Sequence, residues 1–189
     1  MSAASSSEPP TKLTTNPRGI PQAPFIQDIP AFLGSKDASV EGPLRNLQEM
    51  LAKYRFMEGT TLNRLSGYEE KIPELERSIE VVQLLMERKE KEEDLETTFE
   101  LADTLYSRAR VEAKDLSEVY VWLGANTLLS YPLPQALELL TSKLSTVRKS
   151  LSDAKEDAQW LREQITVTEV NVARVFNWDV KRRRDQKKD

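Results

Sequence analysis

The chain has 189 residues and a formal net charge of −4, and its 31% charged and 39% apolar residues suit an elongated helical module better than a dense enzyme core. It contains no cysteine and no histidine, which removes disulfides, thiolate nucleophiles, Cys-ligated metals and the commonest general base and metal ligand near neutral pH. No catalytic, cofactor-binding or metal-binding residue is therefore assigned, an enzyme is not expected, and the acidic balance offers no bulk attraction to nucleic acid.

Residues 1–39 carry Pro9, Pro10, Pro17, Pro21, Pro24 and Pro30, which forbid a long helix and favour extended backbone. The composition is that of a flexible Pro/Ser-rich arm. Its apolar groups, Gly19-Ile20-Pro21 and Phe25-Ile26-Gln27-Asp28-Ile29, also suit a strap that docks on a partner or on the helices that follow. The start lacks the basic and apolar stretches of a secretory leader, and the longest apolar runs, such as Val119–Leu123, fall far short of the roughly 20 residues that span a bilayer. The expected location is the cytosol, with the nucleus as a second address and no membrane contact.

Residues 40–94 are predicted to form a first coiled-coil helix, opening at Gly42-Pro43. The seam reads Leu44, Leu47, Leu51, Tyr54, Glu58, Thr61, Leu65, Tyr68, Ile72, Leu75, Ile79, Val82, Met86, in steps alternating between three and four. Glu58 and Thr61 weaken it locally, and Pro73 is expected to kink or open the helix. Residues 95–133 change character. Thr97, Phe99 and Leu101 alternate as strand residues do, with a turn at Ala102-Asp103 and a return strand along Leu105, Ser107, Ala109 and Val111. Val119, Val121 and Leu123 alternate again, then Gly124-Ala125-Asn126 turns into Thr127-Leu128-Leu129. Two hairpins with apolar faces are marginal alone, so they are expected to pair with other subunits. Residues 134–183 repeat the coiled-coil period through Leu137, Leu140, Leu144, Val147, Leu151, Ala154, Ala158, Leu161, Ile165, Thr168, Val172 and Val175. Residues 184–189 are a basic tail, read as a solvated helix terminus whose cations suit the helix dipole. The fold class is mainly α: a long antiparallel two-helix coiled coil joined by two β-hairpins. Matching helix lengths set Leu44 opposite Arg183.

Several blocks of residues resemble a known family. They are Gly19-Ile20-Pro21 with Phe25-Ile26, Lys53 to Glu58, Lys71-Ile72-Pro73-Glu74, Val121 to Asn126, and the long block Thr168 to Arg183 with Phe176, Asn177 and Trp178 at fixed spacing. The chain is identified by this resemblance as a member of the prefoldin family, α class, eukaryotic type. The resemblance implies a heterohexamer of two α-class and four β-class subunits whose hairpins build an intersubunit β-barrel. It also implies an ATP-independent co-chaperone that holds unfolded actin and tubulin at the coiled-coil tips and delivers them to the cytosolic chaperonin.

On that reading Leu47, Met50, Phe56, Met57, Val175, Phe176 and Trp178 are expected to meet clients, because more apolar side chains crowd there than one seam needs. Phe99, Leu101, Tyr106, Val119, Val121, Trp122, Leu123 and Leu128 are expected to serve assembly. The competing reading is a structural or tethering coiled-coil scaffold without client holding.

Overall fold

The computed structural model describes residues 14–35 and 39–186. Pro9, Pro10, Lys187 and Lys188 lie outside them. The order of elements is α1 (Ile29–Leu33), α2 (Glu41–Glu90), β1 (Leu95–Ala102), β2 (Leu105–Val111), a 3-10 turn (Ala113–Asp115), β3 (Glu118–Gly124), β4 (Thr127–Pro132) and α3 (Leu133–Asp185). The described residues fall into two compact units, one ending at Leu65 and resuming at Asp153, the other Ser66–Ser152. They are called here the terminal unit and the hairpin unit.

Both long helices follow from their seams. No residue of either predicted seam is exposed; Tyr54, Leu75, Val82 and Leu140 are among those buried, and Thr61, Leu161, Thr168 and Val175 are fully so. The polar seam positions satisfy themselves locally: the Thr61 hydroxyl donates to the Met57 carbonyl at 2.9 Å, and that of Thr168 to the Gln164 carbonyl at 2.7 Å. Glu58 pairs across the seam with Arg162 at 3.4 Å. Pro73 brings no amide hydrogen to the ladder, yet α2 continues as one helix through it. Pro134 sits in the first turn of α3, where a missing N–H costs nothing.

In the terminal unit the helices run antiparallel, with Arg55 beside Glu169 at 2.6 Å. A Leu44–Arg183 pairing would have set Val172 there, so the register is shifted by about one turn. The two helices are close in length, 50 residues in α2 and 53 in α3.

In the hairpin unit β1 pairs with β2 and β3 with β4, as two separate antiparallel ladders. Each tightens at its turn, with register breaks between Glu100 and Ala102 and between Trp122 and Gly124. The second turn needs left-handed backbone at three consecutive residues, Gly124 (φ 93°), Ala125 (φ 49°) and Asn126 (φ 59°). Glycine and asparagine tolerate that region best, which is why the turn falls there. Asp94 anchors the first hairpin: Oδ1 accepts the Ala113 N–H at 2.9 Å and Oδ2 accepts from Arg110. The core of this unit joins Leu75 and Val82 of α2 to Leu133, Ala136, Leu140 and Leu144 of α3, with Leu116, Val111, Val119 and Val121 from the connecting segment.

Candidate functional site: a strap on the helix ends and two bare hairpin faces

The arm is built into the terminal unit. Of the two readings open to it, residues 14–33 take that of a strap packed on the chain's own helices; a freely flexible arm does not describe them. Residues 14–22 fold back on themselves, with the Asn16 N–H donating to the Ile20 carbonyl at 3.0 Å and the Gln22 N–H to that of Thr14 at 2.8 Å. The turn is organised by Asn16, whose Oδ1 accepts from the N–H groups of Arg18 (3.1 Å) and Ile20 (2.7 Å). Gly19 completes it at φ 85°, a conformation that favours glycine. Beyond Pro21 the chain is extended until Asp28 caps α1 by accepting the Ala31 N–H at 3.2 Å, and Gly34 ends that single turn in left-handed backbone.

What holds the strap is a line of polar side chains on α3, spaced by seven. Asp157 accepts from Asn16 Nδ2 and from Arg18 Nε, both at 2.6 Å, and Arg18 also reaches Glu156 (3.0 Å) and Asp153 (3.4 Å). Gln164 Oε1 accepts the Ala23 N–H at 2.9 Å. Asn171 makes two bonds, accepting the Ile26 N–H at 3.0 Å and donating to the Pro24 carbonyl at 2.7 Å. Across the groove, the Tyr54 hydroxyl of α2 donates to the Pro21 carbonyl at 3.0 Å. Burial pushes the Tyr54 phenol above its usual pKa, and the hydrogen bond that Arg18 donates to Asp157 raises that of Arg18. Asp157, Gln164 and Asn171 are all buried.

The apolar side of the strap meets the apolar side of the groove. Ala23, Ile26 and Ile29, every third residue, are buried. Ile26 and Ile29 pack with Val40, Leu47 and Val175, and Ala23 with Tyr54 and Leu161. Phe25 is exposed, with the Arg174 guanidinium 5.0 Å from its ring centre. Arg174 also donates to the Gln27 carbonyl at 2.9 Å.

The hairpins present the opposite case. β3 alternates, with Val119 and Val121 half-buried on the core side and Tyr120 and Trp122 bare on the other. Leu128 and Leu129 of β4 are bare as well, as are Phe99 and Leu101 of β1 and Leu105 and Tyr106 of β2. By register, Phe99 and Tyr106 lie on opposite faces of the first ladder, while Trp122 and Leu128 share one face of the second. Between β3 and the helices lies a cleft of about 780 Å³, lined by Leu75, Val82, Val119, Val121, Leu140 and Lys143 among others.

The signature of the family described as prefoldin subunit matches residues 54–178, which take in most of α2, both hairpins and most of α3. The chain belongs to the prefoldin subunit family. It is 47% identical to prefoldin subunit 3 of Elsinoe fawcettii over 188 residues, covering 99% of this chain and 94% of that protein. It is 42% identical to prefoldin subunit 3 of Saccharomyces cerevisiae over 180 residues, covering 91% and 89%. With prefoldin subunit 3 of Homo sapiens the identity is 41% over 166 residues, covering 87% and 83%. The architecture, long helices joined by two antiparallel hairpins, is that of a prefoldin, and the family is one of chaperone subunits that assemble with other prefoldin subunits.

The residues expected to meet clients in this prefoldin subunit occupy three different settings. Leu47 and Val175 are buried in the strap's own cluster; Met50, Met57 and Trp178 are half-buried around it. Only Phe56 and Phe176 stand free, at 76% and 55% exposure. The surplus of apolar side chains at the helix ends is thus largely taken up by the strap. Trp178 is further covered by Arg182, whose guanidinium lies 5.0 Å from the ring centre while pairing with Asp179 at 2.7 Å. Arg183 pairs with the same carboxylate at 2.7 Å, so part of the basic end is engaged within its own helix. Among the expected assembly residues, Val119 and Val121 belong to the chain's own core, while Phe99, Leu101, Tyr106, Trp122, Leu123 and Leu128 are exposed. Sequence reasoning missed Asp157, Gln164 and Asn171. Their signal was present: polar residues seven apart, one step off an apolar seam.

Proposed function

We infer that this prefoldin subunit is an α-class member of a heterohexameric, ATP-independent co-chaperone. Its bare hairpin faces close a β-barrel with neighbouring subunits, and its helix ends hold unfolded polypeptides of the actin and tubulin class for delivery to the cytosolic chaperonin. The cytosol is its place of work, with the nucleus as a second address. The observation that supports client holding is the pair Phe56 and Phe176, aromatic side chains left bare on helices whose seam is buried, beside the exposed Phe25 and Phe32 of the strap. Burying one such ring is worth about 1.5–3 kcal/mol, so each contact is weak and release is easy, while several subunits acting together raise avidity. A scaffold without clients would have no use for these rings.

The test is the double substitution Phe56→Ser/Phe176→Ser in the assembled complex, scored by suppression of aggregation of urea-unfolded actin. Suppression should fall while the native mass of the complex stays the same. Undiminished suppression would refute client holding by these rings.

A further inference from the structure

The strap lies on α3 in a way that any suitably spaced peptide could imitate. Strap and helix run in the same direction: Asn16 and Arg18 meet Asp157, Ala23 meets Gln164, and Ile26 meets Asn171. From Gln164 to Asn171 is one heptad, about 10.5 Å at 1.5 Å per residue. From Ala23 to Ile26 is three residues of extended chain, about 10 Å at 3.1–3.3 Å each. The two repeats therefore match, one strap triplet to one helix heptad. That match puts Ala23, Ile26 and Ile29 on the buried side in succession.

The bonds that Gln164, Asn171 and Tyr54 make to the strap go to its backbone groups, while the Gln164 Nε2 donates to the Trp160 carbonyl of its own helix at 3.2 Å. Main-chain recognition with apolar positions every third residue reads conformation and spacing, not a particular sequence. It is the mode by which grooves take polyproline-type or extended segments.

We propose that this groove, formed by Tyr54 with Leu161, Gln164, Asn171 and Val175, is a polypeptide-binding site for an extended segment bearing a small or branched apolar side chain at every third position. The strap is its resident occupant, and a segment of an unfolded client enters by displacing it. This deepens the client-holding reading and rests on it for the identity of the occupant. The strap shows the occupant's chemistry directly, because a stretch of extended, proline-bearing, apolar chain sits there with the Ala23 and Ile26 N–H groups paired to α3.

Tethering sets the threshold. A strap held by a short linker competes at an effective concentration of about millimolar, so a lone short peptide at micromolar concentration cannot dislodge it. A long unfolded chain held at several subunits at once can. The groove is thus closed to short peptides and folded proteins and opens to chains that are already captured elsewhere.

The test uses the full chain assembled with its prefoldin partners. In the variant Ile26→Ser/Ile29→Ser the strap's apolar anchors are removed while the groove is untouched. A fluorescein-labelled peptide copying residues 19–30 should bind that complex at least tenfold tighter than the wild type, and adding Asn171→Leu should cancel the gain. Equal, weak binding to all three would overturn the proposal.

Should the serine variant fail to assemble, a second measurement decides. The chain has no cysteine, so Ile26→Cys gives it a single thiol at a buried position. Its alkylation, read by mass spectrometry of the strap peptide, should speed up at least tenfold when the labelled peptide is added at millimolar concentration or urea-unfolded actin is added. No acceleration by either would overturn the proposal. The two readings separate cleanly: actin held with no peptide binding sinks the groove and leaves client holding, whereas peptide bound with no actin held does the reverse.

Discussion

Replacing Asn171 with alanine should loosen the strap more than any other single change to a polar residue. The carboxamide is fully buried and closes a two-point clamp, with the Ile26 N–H at 3.0 Å and the Pro24 carbonyl at 2.7 Å. Leaving one buried backbone group unpaired costs about 1–3 kcal/mol, so two such groups set an upper bound near 6 kcal/mol. The strap need not bear that cost, because it can lift and let water pair both groups. The visible loss is therefore capped by the free energy that seats the strap, and about 2 kcal/mol, a roughly 30-fold rise in opening, is the expected size. Hydrogen exchange of residues 20–30 reads it directly. Protection there should fall about 30-fold while protection in β3 and β4 stays unchanged. Asn171→Asp is the sharper control. A carboxylate can still accept from Ile26 but sets an acceptor against the Pro24 carbonyl, so it should protect no better than alanine. Protection of the strap unchanged in Asn171→Ala, or fully kept in Asn171→Asp, would refute the clamp.

Three further outcomes follow from the same contacts. Burial raises the Tyr54 pKa, so the neutral phenol stabilises the strap fully below the ordinary tyrosine value of about 10, and that contribution is lost as pH rises through the elevated value; absorbance at 295 nm should show one of the five tyrosines ionising late, and Tyr54→Phe should remove that step. Asp94 is held below the usual carboxylate range by the Ala113 N–H and then by Arg110, so its contribution is present above about pH 4 and is lost as pH falls through the depressed value; exchange in β1 and β2 should rise in that acid range, and Asp94→Asn should bring the rise to neutral pH. Leu133→Ala, at a fully buried position joining β4 to α3, should destabilise the hairpin unit by about 2–5 kcal/mol in urea unfolding of the assembled complex, and a loss under 1 kcal/mol would contradict the packing described.

Much of this was legible beforehand, and for one reason. The three-and-four spacing from Leu44 to Met86 and from Leu137 to Val175 reports which side of each helix is dry, and every residue so marked is shielded. The second hairpin turn was equally legible, since Gly124 and Asn126 mark backbone that few other residues accept, whereas the first, expected at Ala102-Asp103, lies one residue on at Asp103-Thr104, with Thr104 at φ 63°. Register was not, because a repeating seam satisfies several neighbouring alignments almost equally. Which alignment is taken is visible only in the structure, where Arg55 lies beside Glu169.

The sequence by itself determined two long helices with hairpins between them, the absence of cysteine and histidine, and the family blocks that a comparison can match. Only the tertiary structure decided which apolar side chains at the helix ends are free. Met50, Met57 and Trp178, which lie off the seams, looked as available as Phe56 and Phe176, and they pack against clusters that include a segment lying elsewhere in the chain. The strap itself has no period that a helix or strand pattern could catch. Its placement comes from one extended triplet matching one helical heptad, and from the amides of Gln164 and Asn171, which find their partners only once strap and helix are side by side.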